Sequence, residues 1–360
     1  MSRRRATLKD VAEAIGVHVS TVSRALHAKT RHLITDELAE RIVAAADALD
    51  YRPNPIAFSL RTRRSMTIGV LVPDITNPIF PPIVRGVEDV LVSRGYTALV
   101  VNTDNDPAKA ANHIQMLRGR GVDGLIVASA QRRDPTLAEV VEDGLPLIAV
   151  NRMPDRRDIS AVVNDERAGI GAVVDHLAGL GHRRIAHIAG PQALSTGFAR
   201  CKAFRACVAA RGLDRDPDLI VTATRFGESE GERCAGPLLD LSPPPTAIVA
   251  ANDLLALGAI RALTGRGLSS PQDISVTGFN DMPFFDRLTP PLTTVRIQSY
   301  ETGRRAAAMI LQHIETPLAQ RTAQTEILGV ELIERGSTGP ARQAPGSGRA
   351  RGRQSGKPRP

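Results

Sequence analysis

The chain contains no tryptophan, three tyrosines and eight phenylalanines, so aromatics amount to 3% of its 360 residues. Its core must therefore be aliphatic, and each phenylalanine is worth locating. Cysteine is scarce too. Cys201, Cys207 and Cys234 are an odd number without zinc-ligand spacing, which argues against a disulfide framework and against a metal finger. No apolar run approaches the roughly 20 residues needed to span a bilayer. The first twenty residues carry no hydrophobic signal segment, because Arg3-Arg4-Arg5 runs straight into Leu8-Lys9-Asp10. What remains is a cytoplasmic protein that builds a core, with 42% hydrophobic and 23% charged residues. Its length predicts two or three domains.

The net charge of +8 points to an anionic partner, but the charge is unevenly placed. Residues 1–64 carry 12 Lys/Arg against 7 Asp/Glu, residues 340–360 carry 6 Lys/Arg and no acid, and the stretch between is at −3. The C-terminal residues 339–360 are rich in Pro, Gly, Ser and Arg and read as a disordered basic tail, either solubilising or in weak contact with DNA.

Near the N-terminus, Thr7-Leu8-Lys9-Asp10 has the form of a capping box, and Leu8, Val11, Ala12 and Ile15 share one helical face. Gly16-Val17 ends that helix. A second helix runs from Val19 to Leu26 with Val22, Ala25 and Leu26 inward and Val19, Ser20, Thr21, Ser23 and Arg24 outward. Thr35 caps a third, whose inward residues are expected to be Leu38, Ile42, Ala45 and Leu49. Two short helices about a Gly turn, plus a supporting helix, form the helix-turn-helix plan, with a plain three-helix bundle as the alternative. An outward arginine on the second helix can bond guanine bidentately. After Tyr51-Arg52-Pro53, Asn54 and Pro55 start a helix of under two turns that exposes Ile56, Phe58 and Leu60, too short to stand without a partner surface. A minor groove with an inserted leucine is one candidate for that surface.

The runs TLKDVAEAIGVHVSTVSRAL and YRPNPIAFSLR together resemble the headpiece and hinge of the lac repressor (LacI/GalR) family. The resemblance implies that Val19, Ser20 and Arg24 read bases, that Thr21 and Ser23 hold phosphates, and that Leu60 pries open the central base step. Thr7, Asn54 and Ala57 join the DNA-facing set. His18 departs from the family's usual serine at the cap of the recognition helix.

From Thr67 onward, short apolar runs alternate with helical segments: Ile68–Val72, Ala98–Val101, Gly124–Val127, Leu147–Val150, Ile185–Ile188, Ala247–Ala250 and Ile274–Val276. Continuous apolar strands between helices predict parallel sheets covered on both faces, here in two lobes, with ligands at the strands' carboxyl ends. The pieces TNPIF, DGLIV, LGHRRIAHIAGP, ANDLLALGAI, PQDISVTGFND and PPLTTVR extend the family resemblance over roughly residues 6–336. The fold class so implied is a small all-α helix-turn-helix headpiece plus an α/β core of two parallel-sheet lobes, like the periplasmic binding proteins. The domains would be 1–52 (headpiece), 53–64 (hinge), 65–338 (effector-binding and dimerisation core) and 339–360 (tail).

By the same resemblance Ile79, Phe80, Ser129, Asn151, Thr196, Arg200, Phe226, Asn252 and Asn280 would touch a small-molecule effector. Core packing is the alternative for Phe80 and Phe226, and an ion pair inside one lobe for Arg200. Many sugar-binding relatives have Asp where Asn151 and Asn280 stand. Two fewer negative charges beside Arg200 favour an anionic effector, a sugar derivative or organic acid. His176, His182 and His187 lack metal-site context, and no catalytic group or cofactor motif is found. The expected function is a bacterial, nucleoid-associated, dimeric transcriptional repressor on a pseudo-palindromic operator, not an enzyme and not at a membrane. A solute-binding protein and an α/β enzyme using the same cleft are the alternatives. The tail has no leucine heptads for a coiled-coil tetramer.

Overall fold

The computed structural model describes residues 6–26, 30–52 and 64–342. The chain divides into two compact units, Met1–Met66 and Thr67–Pro360. The hinge residues Asn54, Ala57 and Leu60 fall outside the described residues, as does the expected tail from 343.

In the first unit, α1 (Leu8–Ile15) opens on the Thr7–Asp10 capping box: the Thr7 amide donates to Asp10 Oδ2 at 2.7 Å and the Asp10 amide to Thr7 Oγ1 at 3.4 Å. It closes on Gly16, whose φ of +69° lies where a side chain is strained. Helices α2 (Val19–Ala25) and α3 (Asp36–Ala48) complete a small apolar cluster of Val11, Ala12, Val22, Ala25, Ala39, Ile42 and Ala46. Two expectations hold only in part. Thr35 occupies the cap position of α3, but its hydroxyl makes no capping bond. The buried stripe of α3 runs through Ala39, Ile42 and Ala46, leaving Leu38 and Ala45 at its flank and Leu49 exposed. Small alanines let α1 and α2 approach closely, so the stripe follows the neighbours rather than side-chain size.

The second unit contains two parallel sheets. The first lobe orders its strands β11 (Thr325–Leu328), β5 (Ser160–Asn164), β4 (Leu147–Val150), β3 (Gly124–Val127), β1 (Thr67–Val72) and β2 (Thr97–Asn102). Helices α4 (Phe80–Ser93), α5 (Pro107–Gly119), α6 (Pro135–Glu142) and α11 (Ser299–Glu315) accompany it. In the second lobe the order is β7 (Ile220–Thr222), β6 (Ile185–Ala189), β8 (Ala247–Ala250) and β9 (Ser275–Thr277). Its helices are α7 (Glu166–Gly179), α8 (Ser195–Ala210), α9 (Glu228–Leu239) and α10 (Asp253–Gly265). Strands β3, β4, β6 and β8 are buried at every position, as continuous apolar runs covered on both faces require. The edge strand β2 is largely half-exposed.

The chain passes to the second lobe after β5 and returns through β10 (Thr294–Arg296) to α11 and β11. It then passes back through β12 (Glu331–Ile333), which pairs antiparallel with β10. Gly339–Arg342, expected in the tail, are instead seated on the second lobe. The Gly339 carbonyl lies 3.0 Å from His182 Nε2, the Ala341 amide donates to the Leu180 carbonyl at 2.9 Å, and Arg342 pairs with Asp273.

Candidate functional site

Two surfaces collect the residues singled out above, one in each unit. In the headpiece, Ser20 and Arg24 on α2 are exposed, Thr21 and Ser23 half-buried, and Val19 leans on the headpiece cluster. Thr7 is exposed and committed to its capping box. His18 caps α2 with its ring: Nδ1 accepts the Ser20 amide at 3.2 Å and lies 2.7 Å from Ser20 Oγ. The residue that departs from the family thus does a serine's capping work, and also holds the Ser20 side chain.

In the core, a cavity lies where the carboxyl ends of both sheets face each other. Its walls include Ile79 and Phe80 at the start of α4, Asn151 after β4, Thr196 and Arg200 on α8, Phe226, Asn252 and Asn280. Eight of the nine candidate residues thus converge; Ser129 is buried but does not line the cavity. Two residues outside that set, Asn77 and Arg152, complete the walls. The cavity measures about 20 Å³, room for about one water molecule. A neighbouring hollow of about 430 Å³ shares Ile79 and Asn280. Its charged residues Asp281, Arg296 and Glu301 are engaged in ion pairs.

The backbone explains part of the composition. Asn151 and Asn280 have φ of 62° and 121°, in the half of conformational space where Asn is among the few side chains tolerated. Phe226 packs over Gly190 at the end of β6, where a Cβ would meet its ring at 2.5 Å. Asn252 caps α10 by accepting the Leu255 amide at 2.9 Å, which occupies its oxygen and leaves its amide nitrogen for other partners.

The two arginines differ sharply. Arg200 donates from Nε to Glu166 Oε2 at 2.5 Å, from Nη2 to Oε1 at 3.2 Å and from Nη1 to the Ala251 carbonyl at 2.6 Å, and it lies over the Phe279 ring at 3.7 Å. Its charge is met inside the second lobe, the alternative weighed for it from sequence. Arg152 is 5% exposed and donates from Nη1 to Asn105 Oδ1 at 2.9 Å, yet its Nε has no acceptor and no carboxylate pairs with it among the described residues. Burial, with Arg200 nearby, pulls its pKa down to about 10. Sequence reasoning passed over Arg152 although it directly follows Asn151. A charged residue at the carboxyl end of a buried strand was the available signal.

The lobes also touch across the cleft. The Arg132 amide donates to the Ala193 carbonyl at 2.9 Å, its guanidinium lies 3.6 Å from the Phe198 ring centroid, and the Met153 amide donates to Ser195 Oγ at 3.0 Å. Among the described residues no group of three or more His, Cys, Asp or Glu could hold a metal ion. His176, His182 and His187 bond separately to Thr338, to Thr246 with Gly339, and to the Val249 carbonyl. No helix of the described residues is long and apolar enough to cross a membrane.

A helix-turn-helix unit followed by a two-lobed, cleft-forming α/β core is the layout of a DNA-binding regulator. Comparison with known proteins agrees. Residues 7–54 match the description "Bacterial regulatory proteins, lacI family", and residues 174–338 match "Periplasmic binding protein-like domain". The chain is 31% identical over 335 residues to the HTH-type transcriptional repressor PurR of Mannheimia succiniciproducens, covering 92% of this chain and 98% of that one. It is 32% identical over 309 residues to the ribose operon repressor of Halalkalibacterium halodurans, covering 86% and 90%. Among solved structures, the lac repressor dimer bound to operator and the anti-inducer ONPF matches with a TM-score of 0.81 at 26% identity, over 93% of this chain and all of that one. The chain belongs to the lacI family and is a DNA-binding transcriptional repressor.

Proposed function

We propose that this repressor acts as a homodimer on a pseudo-palindromic operator and is controlled by a small molecule seated between the core lobes. Two headpieces would each take one half-site, which ties operator symmetry to protein symmetry. Val19, Ser20 and Arg24 would read base edges, and Thr7, Thr21 and Ser23 would position the backbone. Asn54, Ala57 and Leu60 would serve the hinge in the minor groove. Ile79, Phe80, Asn151, Thr196, Arg200, Phe226, Asn252 and Asn280 would surround the effector, with Ser129 behind them. The effector's differential affinity for two degrees of lobe closure is the free energy available to shift the headpieces. This reading assigns the cleft no reaction, and places the protein with its DNA in the cytoplasm.

The observation that carries the reading is α2, which presents Ser20 and Arg24 outward on a capped helix beside a Gly16 turn. The solved lac repressor dimer on its operator supports the assembly, and the solved transcriptional regulator CelR with cellobiose supports a small-molecule ligand. Gel-shift titration of the DNA upstream of the chain's own reading frame tests it. The wild type is expected to bind sequence-specifically, and Arg24→Ala and Leu60→Ala to lose that specificity. Normal specific shifts by both variants would overturn it.

A further inference from the structure

Some of the unpartnered buried polar atoms lie on the cavity, while others, such as Ser129 Oγ and Thr277 Oγ1, lie away from it. Asn151 Oδ1, Asn280 Oδ1 and Arg152 Nε all lie on its walls without a hydrogen-bond partner. Buried polar groups are ordinarily satisfied, so a set left open on one cavity describes the molecule that would satisfy it. Two open acceptors require donors such as hydroxyls. An open guanidinium requires an anion. Arg200 cannot supply that charge, since Glu166 already neutralises it. Arg152 has no carboxylate among the described residues. Of the two arginines on the cavity, Arg152 alone therefore leaves a positive charge unmatched.

From this we infer that the effector is a hydroxylated anion, admitted when the lobes part to widen the cavity beyond its closed volume of about 20 Å³, its carboxylate or phosphate held by Arg152 and its hydroxyl groups donated to Asn151 and Asn280. The inference rests on the reading that the cleft takes the effector, and moves the charged contact from Arg200, where sequence placed it, to Arg152. Arg200 becomes a positioning residue that ties α8 to Glu166 and braces the cavity wall. A neutral sugar would leave the buried Arg152 charge uncompensated and so pays a desolvation penalty that the anion does not.

The test is calorimetric and thermal-shift titration of the full chain with matched pairs. Gluconate is paired with sorbitol, galacturonate with galactose, and ribose 5-phosphate with ribose. The carboxylate and phosphate members separate the two kinds of anion. At least one anion is expected to bind on the order of 30-fold or more tightly than its neutral partner, with affinity falling as salt rises. Arg152→Met is expected to raise the melting temperature of the ligand-free protein, because an unmatched buried charge is gone, and to erase the anion's advantage. Arg152→Lys should restore part of it. If Arg152→Met does not fold, as judged by circular dichroism, the lysine variant carries the comparison through its salt dependence. Neutral partners binding as tightly as the anions, or an Arg152→Met variant that keeps the anion's affinity, would overturn the inference and leave the effector reading standing. No binding by any compound of either kind would count against both.

Discussion

The two lobes of the core share a strand–helix architecture but solve the problem of polarity in opposite ways. The first lobe packs Leu71, Ile114, Leu117, Leu125, Val127, Leu137 and Ala149 into an aliphatic cluster, and its buried polar residues sit mostly at or just beyond strand ends, Asn151, Arg152 and Asn164 among them. The second lobe carries polar groups through its interior: His187 within β6, Asp253 under β9, and the Arg200–Glu166 pair. Asp253 accepts the Met282 amide at 2.8 Å and the Thr294 hydroxyl at 2.5 Å. The first lobe should therefore answer mainly to volume changes, and the second to charge and pH.

The largest effects should come from breaking each lobe in its own currency. Glu166→Ala leaves Arg200 buried and unpaired and is expected to destabilise the core by ~3–5 kcal/mol. Leu125→Ala, at a fully buried first-lobe position, is expected to cost ~2–5 kcal/mol through lost burial and a residual cavity. Urea unfolding at two salt concentrations separates them. The Glu166→Ala loss should vary with ionic strength, and equal salt response in both variants would contradict the contrast between lobes.

Next in size is a pH effect confined to the second lobe. His187 is fully buried with Nδ1 2.7 Å from the Val249 carbonyl, and burial pushes its pKa down to about 4. A histidine whose folded pKa is depressed favours folding above its unfolded value near 6.5, and that contribution is lost as pH falls toward 4. The loss approaches ~3 kcal/mol over this window. Asp253 acts in the other direction. Burial raises its pKa to about 6, so its contribution is present below about 4 and lost as pH rises through 6. His187→Phe, which retains a ring against Phe204, should flatten the acid-side decline. Asp253→Asn should flatten the rise in stability seen between pH 7 and 5 when His187 is removed. Chemical denaturation midpoints measured at half-unit pH steps check both. Unaltered pH profiles would show that these groups do not titrate on unfolding.

How much of this was legible in the sequence follows the same divide. Strands β1, β3, β4, β6 and β8 stood out because burial on both faces leaves almost only apolar letters, His187 in β6 being an exception. Strands β5, β7 and β10–β12 did not, being short, mixed in polarity or defined by distant pairings such as Thr294 with Ile333. Most of the lining residues were readable from strand ends taken together with the family resemblance, whereas Asn77 and Arg152 were not. Their electrostatic roles were not. Arg200 meets a carboxylate 34 residues away and Arg152 meets no carboxylate among the described residues, and both facts depend on how α7, α8 and β4 come together. The fold's periodicity is local, whereas charge balance is settled only after packing.

The smallest effect, and the one that joins the halves of the comparison, concerns Arg132. It extends from the first lobe beyond β3 to the second, where its backbone amide bonds Ala193 and its guanidinium covers Phe198 and reaches the Gln192 carbonyl at 3.3 Å. Arg132→Ala keeps the backbone bond and removes the rest. The side chain also pairs with Asp155, Nη2 lying 2.9 Å from Oδ2. A partly exposed cation–π contact contributes about 0.5–1 kcal/mol, a single neutral-acceptor hydrogen bond about the same and a partly exposed ion pair ~0–1 kcal/mol, so global stability should fall by about 1–2 kcal/mol. Lobe closure is more sensitive than global unfolding, because few contacts hold it and each kilocalorie shifts a two-state balance several-fold. Small-angle scattering should therefore report a more open core, with a larger radius of gyration, in the Arg132→Ala variant than in the wild type. An unchanged scattering profile together with a loss well above 2 kcal/mol would place Arg132 within the folding core of one lobe, and not at the latch between them.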